Sequence, residues 1–163
     1  MAATYTPIAS ATLAASTSSI TFSSIPATYT DIVVVINDIN STGSFDTNIR
    51  FNGDSGSNYS RTGLRGGGSS ASSFRQTDNN AVILTADGSA GYARPAIVNI
   101  MNYANTNTNK TVIDRVNDSA NGLSFHVFLW RNTAAINSIQ IYSSSTFASG
   151  ATFNLYGILA GNA

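Results

Sequence analysis

The stretch RFNGDSGSNYSRTGL, Arg50–Leu64, admits two readings. Its Asn, Asp, Ser and Gly spacing fits a calcium loop, while its ends, NIRF and NYSRTGL, alternate like two strands around a tight turn. Asn52-Gly53 tips the balance, because a type I′ turn needs positive φ at both central positions and Asn-Gly is the strongest short signal for it. Gly56 offers a second left-handed position. A calcium ion takes roughly six to eight oxygens, usually from several carboxylates. Here only Asp54 is charged, with Asn52, Ser55, Ser57 and Asn58 as neutral donors of oxygen, and no acid stands at the closing position of an EF-hand. The stretch reads as a β-hairpin corner, with Asp54 and Asn58 as weak candidates for an ion.

The rest of the chain repeats that pattern. IVVVINDI (32–39) is nearly continuous and β-branched, which predicts a central strand buried on both faces. AVILTA (81–86), RPAIVNIMNY (94–103), TVIDRVND (111–118), LSFHVFLWRN (123–132), AINSIQIYSS and TFNLYGILA follow, separated by Gly/Asn/Ser/Asp clusters. SITF (19–22) precedes a corner at Pro26, and GGGSSASS (66–73) reads as a wide turn or crossing. No amphipathic helix is evident. About ten short strands at roughly 8–12-residue spacing predict an all-β protein, a jelly-roll-like antiparallel β-sandwich in a single domain. The expected division is an extended N-terminal arm over 1–10 and the sandwich over 11–163.

Composition agrees. Ser, Thr and Asn make up 59 of 163 residues, all eight acids are Asp, and Lys110 is the only lysine. Such side chains compete for backbone hydrogen bonds and disfavour helix. Lys+Arg and Asp+Glu both number 8, so no net field draws nucleic acid or an anionic membrane. The chain lacks cysteine, which removes disulfides and thiolate metal sites. No run approaches the roughly 18 apolar residues of a membrane helix, and the uncharged start of MAATYTPIASATLAASTSSI does not fit a signal peptide.

The residues of chemistry are sparse. His126 is the only histidine, so multi-histidine metal sites are excluded, and its place in SFHVFLW predicts a structural or interface role. GDSGS (53–57) is similar to the nucleophile stretch of trypsin-like proteases, but no histidine lies upstream. Gly66, Gly67 and Gly68 match no phosphate-binding pattern, and no spacing pairs two carboxylates. No enzyme activity and no cofactor are expected. Arg50, Arg61 and Arg65 are candidates for an interface, because a guanidinium fork suits carboxylates on a neighbouring subunit. Arg50 is expected to pair across the hairpin. Tyr59, and Tyr5 in the arm, join them as interface candidates. Tyr59, Phe74, Tyr92 and Trp130 can also be read as a sugar-stacking set, although Trp130 after FHVFL fits the core better.

ITFSSIPATYTDIVVV, then IRFNGDSGSNYSRTGLRGGGSS, and a terminal STFASGATFNLYGILA together resemble a family of virion structural proteins of tailed phages, especially those of cyanobacteria and other aquatic bacteria. The resemblance spans roughly Ser19 to Ala160. It implies a β-sandwich or jelly roll, often trimeric, that serves as a capsid decoration (cement) protein or as a fibre module, with no catalytic motif. Asn52, Gly53, Asp54, Asn58 and Tyr59 recur in that family. A chain without a repetitive shaft favours decoration, with the major capsid protein and its own copies in a homotrimer as partners, on the outer capsid surface of the virion. The alternative that it implies is a tail or head fibre module that recognises a host surface glycan.

Overall fold

The computed structural model describes residues 4–39, 46–84, 93–118 and 122–159. The described residues form twelve strands: β1 (Thr6–Thr12), β2 (Thr17–Phe22), β3 (Asp31–Ile39), β4 (Thr47–Phe51), β5 (Tyr59–Gly67), β6 (Ser70–Asn79), β7 (Val82–Leu84), β8 (Ala93–Met101), β9 (Lys110–Asp118), β10 (Gly122–Trp130), β11 (Ile139–Phe147) and β12 (Thr152–Ile158). They make two antiparallel sheets. One holds eight strands in the order β1-β12-β3-β8-β9-β10-β5-β6, and the other holds four, β2-β11-β4-β7. The all-β class and the antiparallel sandwich follow the expectation, with twelve strands in place of about ten.

Burial shows how the alternation was spent. In β8, Ala96, Val98 and Ile100 are buried and face the small sheet, while Ile97, Asn99 and Met101 point the other way. β3 is central as predicted, between β12 and β8, with Ile32, Val33, Val34 and Ile36 all buried. From the small sheet come Phe22, Ile49, Phe51, Val82, Leu84, Ile139 and Ile141, which close the core against them. Each large side chain so buried contributes about 1.5–3 kcal/mol over leaving it in water.

Three expectations need correction. First, Arg50–Leu64 is not a hairpin: β4 lies in the small sheet, paired with β11 and β7, while β5 lies in the large one, paired with β10 and β6. The Asn52-Gly53 turn itself was right, whereas Gly56 does not take the left-handed conformation expected of it. Asn52 and Gly53 both have positive φ (52° and 70°), and the Asp54 N–H donates to the Phe51 carbonyl at 2.9 Å. A turn type reverses the chain without dictating which strand receives it, and here the chain crosses between sheets. Second, the arm expected over 1–10 is, from Thr6, part of edge strand β1, whose Thr6–Thr12 pair with Gly157–Thr152 of β12. Third, the GGG segment is the end of a true hairpin. Gly68, at φ 58°, turns β5 into β6, a strand that its serine-rich sequence conceals.

One close approach fixes the β12 end of the large sheet. A Cβ on Gly157 would lie only 2.3 Å from carbons of the Tyr29 ring. The Tyr29 N–H donates to the Tyr103 hydroxyl at 3.3 Å, and that hydroxyl donates to the Pro26 carbonyl. Gly157→Ala is therefore expected to lower stability by about 1–3 kcal/mol through overpacking. Urea unfolding of the single variant and of the Gly157→Ala/Tyr29→Ala pair checks this, since the loss should be non-additive when the ring is absent.

Candidate functional site

The corner at Asn52–Asn58 is a structural clip. Asp54 Oδ1 accepts the Gly56 N–H at 2.9 Å and the Asn58 amide at 3.2 Å, and Oδ2 accepts the Asn58 amide at 3.0 Å and the Trp130 indole N–H at 2.7 Å. Asp54 and Asn58 are thus brought together as acceptor and donor to each other, rather than as two oxygen ligands of an ion. Among the described residues, no group of three or more His, Cys, Asp or Glu could hold a metal. Burial works against ionisation of Asp54, but the Trp130, Gly56, Asn58 and Asn132 hydrogen bonds outweigh it and hold the carboxyl below its ordinary value.

The same corner ties the second crossing between sheets, from β10 to β11. The Asn52 amide donates to the Ala135 carbonyl at 2.8 Å, and its oxygen accepts the N–H groups of Asn137 and Ser138. Arg131 donates to the Ser57 carbonyl at 2.7 Å through its guanidinium and to the Asn58 carbonyl at 2.8 Å through its N–H.

Most arginine and tyrosine candidates are internal. Arg61 is buried, donating to the Gln76 side chain and the Ile83 carbonyl at 2.7 Å each, with its guanidinium 4.9 Å above Phe74. As an inward residue of β5 it cannot reach a neighbouring subunit. Tyr59 is fully buried, 6.1 Å from Trp130 ring to ring, with its hydroxyl accepting the Phe51 N–H and donating to the Asp54 carbonyl. It joins the two sheets and is not an interface residue. Burial pushes its phenol pKa upward. Arg50 does not pair across a hairpin; it reaches the Asn80 carbonyl at 3.2 Å and lies 4.4 Å above Tyr142. Arg65 is half-buried beside Leu64. Tyr5 is exposed, edge-on to Tyr156. Of the sugar-stacking set, Tyr59 and Trp130 are in the core, Phe74 lies under Arg61, and Tyr92 is outside the described residues.

His126 is structural, as its position implied. It is buried, with Nδ1 2.7 Å from Asp114 Oδ1, which also accepts the His126 backbone N–H at 3.1 Å. Burial raises the Asp114 carboxyl pKa, and the His126 contacts only partly oppose that rise. Lys110 is likewise buried, its ammonium held by the Thr108 and Thr133 carbonyls.

What stands out lies on the other side of the large sheet. Leu123, Phe125, Val127 and Leu129 of β10 point outward, each 37–49 % exposed. Leu64 on β5 sits opposite Phe125, and Ile113 on β9 opposite Val127. These six are among the eight large hydrophobics exposed among the described residues, so exposure is concentrated on one face. Two depressions flank the Leu123–Phe125 ridge. One of about 490 Å³ includes Leu64, Gly66, Ala71 and Ser73, and one of about 330 Å³ includes Pro95, Ile97, Arg115 and Asn117. Arg65 lines the first of these and Arg115 the second, and Arg61 and Arg75 line a third depression beside Val127 and Leu129. The signal was in LSFHVFLW. One phase, Leu123, Phe125, Val127 and Leu129, is wholly apolar and the other ends in Phe128 and Trp130, so the strand needs a cover on each face, and the small sheet covers only one. Contiguous exposed apolar patches are uncommon on monomeric proteins, which singles this face out.

No protein-family model matches the chain, and no curated protein is significantly similar to it.

Removing the Asp54 acceptor isolates the Trp130 indole and the Asn58 amide. Asp54→Ala is expected to cost about 2–4 kcal/mol, and Asp54→Asn is expected to destabilise as well, because an amide N–H must then face another donor. The folded pKa of Asp54 is depressed, so its contribution is full above the ordinary value of 3.8 and fades as pH falls through the lower folded value. Denaturation followed against pH should show a shallower acid loss in Asp54→Asn than in the native chain.

Proposed function

We propose that this chain is a capsid decoration protein of a tailed phage, with the major capsid protein as its partner and the outer shell as its site. It docks through the outer face of β10 and its neighbours. The observation that carries this reading is the exposed apolar face of Leu64, Ile113, Leu123, Phe125, Val127 and Leu129. A sheet face of this kind suits a broad, preformed protein surface, and desolvation supplies the driving force. The resemblance of ITFSSIPATYTDIVVV and IRFNGDSGSNYSRTGLRGGGSS to virion structural proteins points to the same class. A glycan-recognising fibre module draws less support, because Tyr59 and Trp130 are buried.

Binding by this face is expected to be carried by apolar area rather than by charge, so it should change little with salt. Phe125→Asp and Val127→Asp should abolish binding to bare shells while leaving the fold intact, since both side chains point away from the core. Quantitative mass spectrometry of purified virions should find a simple ratio to the capsid subunit. A few copies per virion, or steep release by salt, would overturn the reading.

A further inference from the structure

We infer that β6 is a pairing edge for a second copy of this chain, joined antiparallel about a two-fold axis at Ser73. β6 ends the large sheet, and among the described strands it is hydrogen-bonded only to β5. Eight of its ten residues are exposed, and only Phe74 and Asn79 are partly covered. Its far side therefore presents a row of backbone N–H and C=O groups with no strand beside them. Natural edges are normally blunted by proline, charged side chains (lysine above all), bulges or shortness. The opposite edge, β1, carries Pro7 and an irregularity between Pro7 and Ala9. In the small sheet, edge β7 has three residues, and edge β2 has six with a broken register against β11. From Ser70 to Gln76, β6 has no proline, no lysine and no bulge, and Arg75 is the single charge on its edge.

The chemistry of that run fits its own copy. Pairing with β5 is unbroken from Ser70 to Gln76, bounded by Gly68 at φ 58° and Asp78 at φ 60°. The longest antiparallel self-pairing of a run bounded at both ends is centred on its middle residue, Ser73. In that register Ser73 meets Ser73 of the second copy, Ser72 meets Phe74, Ala71 meets Arg75 and Ser70 meets Gln76. Arg75 is the only charge in the run, and it faces alanine rather than its like. Opposed serines can hydrogen-bond across the strands, and opposed like charges, which would forbid the pairing, do not arise. The axis stands perpendicular to the sheet, so two eight-stranded sheets become one of sixteen strands with both apolar faces on the same side.

The contact is two-fold and does not itself build the trimer that the resemblance implies. It also does not require the shell reading, because backbone pairing acts at the edge and docking acts on the face. Analytical ultracentrifugation of the full chain should show a monomer–dimer equilibrium. Ser73→Lys, which sets two ammonium groups face to face at the axis, should leave a folded monomer by circular dichroism, whereas Ser73→Thr and Phe125→Asp should still dimerise. Under mild oxidation, Ser73→Cys should form a disulfide dimer about 10-fold or more faster than Thr106→Cys on an exposed loop, since directly opposed Cα atoms lie within disulfide reach. A monomer at every concentration, a trimer that Ser73→Lys does not disturb, or equal oxidation rates would overturn the inference.

Discussion

The hydrogen bond from the Trp130 indole to Asp54, at 2.7 Å, is the constraint around which the two sheets are arranged. Trp130 ends β10 in the large sheet, and Asp54 sits just beyond β4 in the small one. Two chain crossings meet there, residues 52–58 and 131–138. Such crossings expose backbone groups that no ladder satisfies, and a buried unpaired group costs about 1–3 kcal/mol. Asn52 meets that need with both polar atoms of its side chain and Asp54 with Oδ1, while Asp54 Oδ2 holds the Trp130 indole and the Asn58 amide. Tyr59, stacked 6.1 Å from Trp130 and bonded to Phe51 and Asp54, seals the same corner from inside. Phe51, 5.4 Å from Trp130, completes the aromatic cluster.

The unequal sheets follow from that arrangement and create the surfaces that matter. Four strands cannot cover eight. The inner face of β10 still finds partners, through Phe128 and Trp130 in the core and through the His126–Asp114 pair. The outer face finds none among the described residues, although it is the more apolar of the two. β6 extends further, with neither face well covered and one edge open. A composition rich in Ser, Thr and Asn keeps most of the remaining surface polar without charge, so apolar contact and backbone pairing, rather than ion pairs, are the means of association available to it.

Much of the fold was legible from local pattern. Alternation in 94–103 and 111–118, the β-branched run at 32–36, and the apolar 123–130 each became a strand of the large sheet. Asn52-Gly53 adopted the left-handed pair that its side chains favour. The errors share one cause, which is that pairing partners are non-local. NIRF and NYSRTGL looked like the two arms of a hairpin, yet each found lower free energy beside a distant strand, β11 for one and β10 for the other. Once β5 turned inward at Tyr59 and Arg61, two residues that read as surface contacts became core. β6 escaped notice because Ser-Ala-Ser-Ser carries no hydrophobic period, and only pairing with β5 makes it a strand.

The amino-acid sequence by itself determined the all-β class, the positions of most strands and turns, and the burial of Trp130. These depend on side-chain alternation and backbone preference, which act over a few residues. The tertiary structure alone decided that Asp54 is a clip between crossings and that Arg61 is internal. It alone left the outer face of β10 and the edge of β6 without a partner among the described residues. Those outcomes depend on which strands share a sheet and how many strands stand opposite, and that is settled by burial summed over the whole chain.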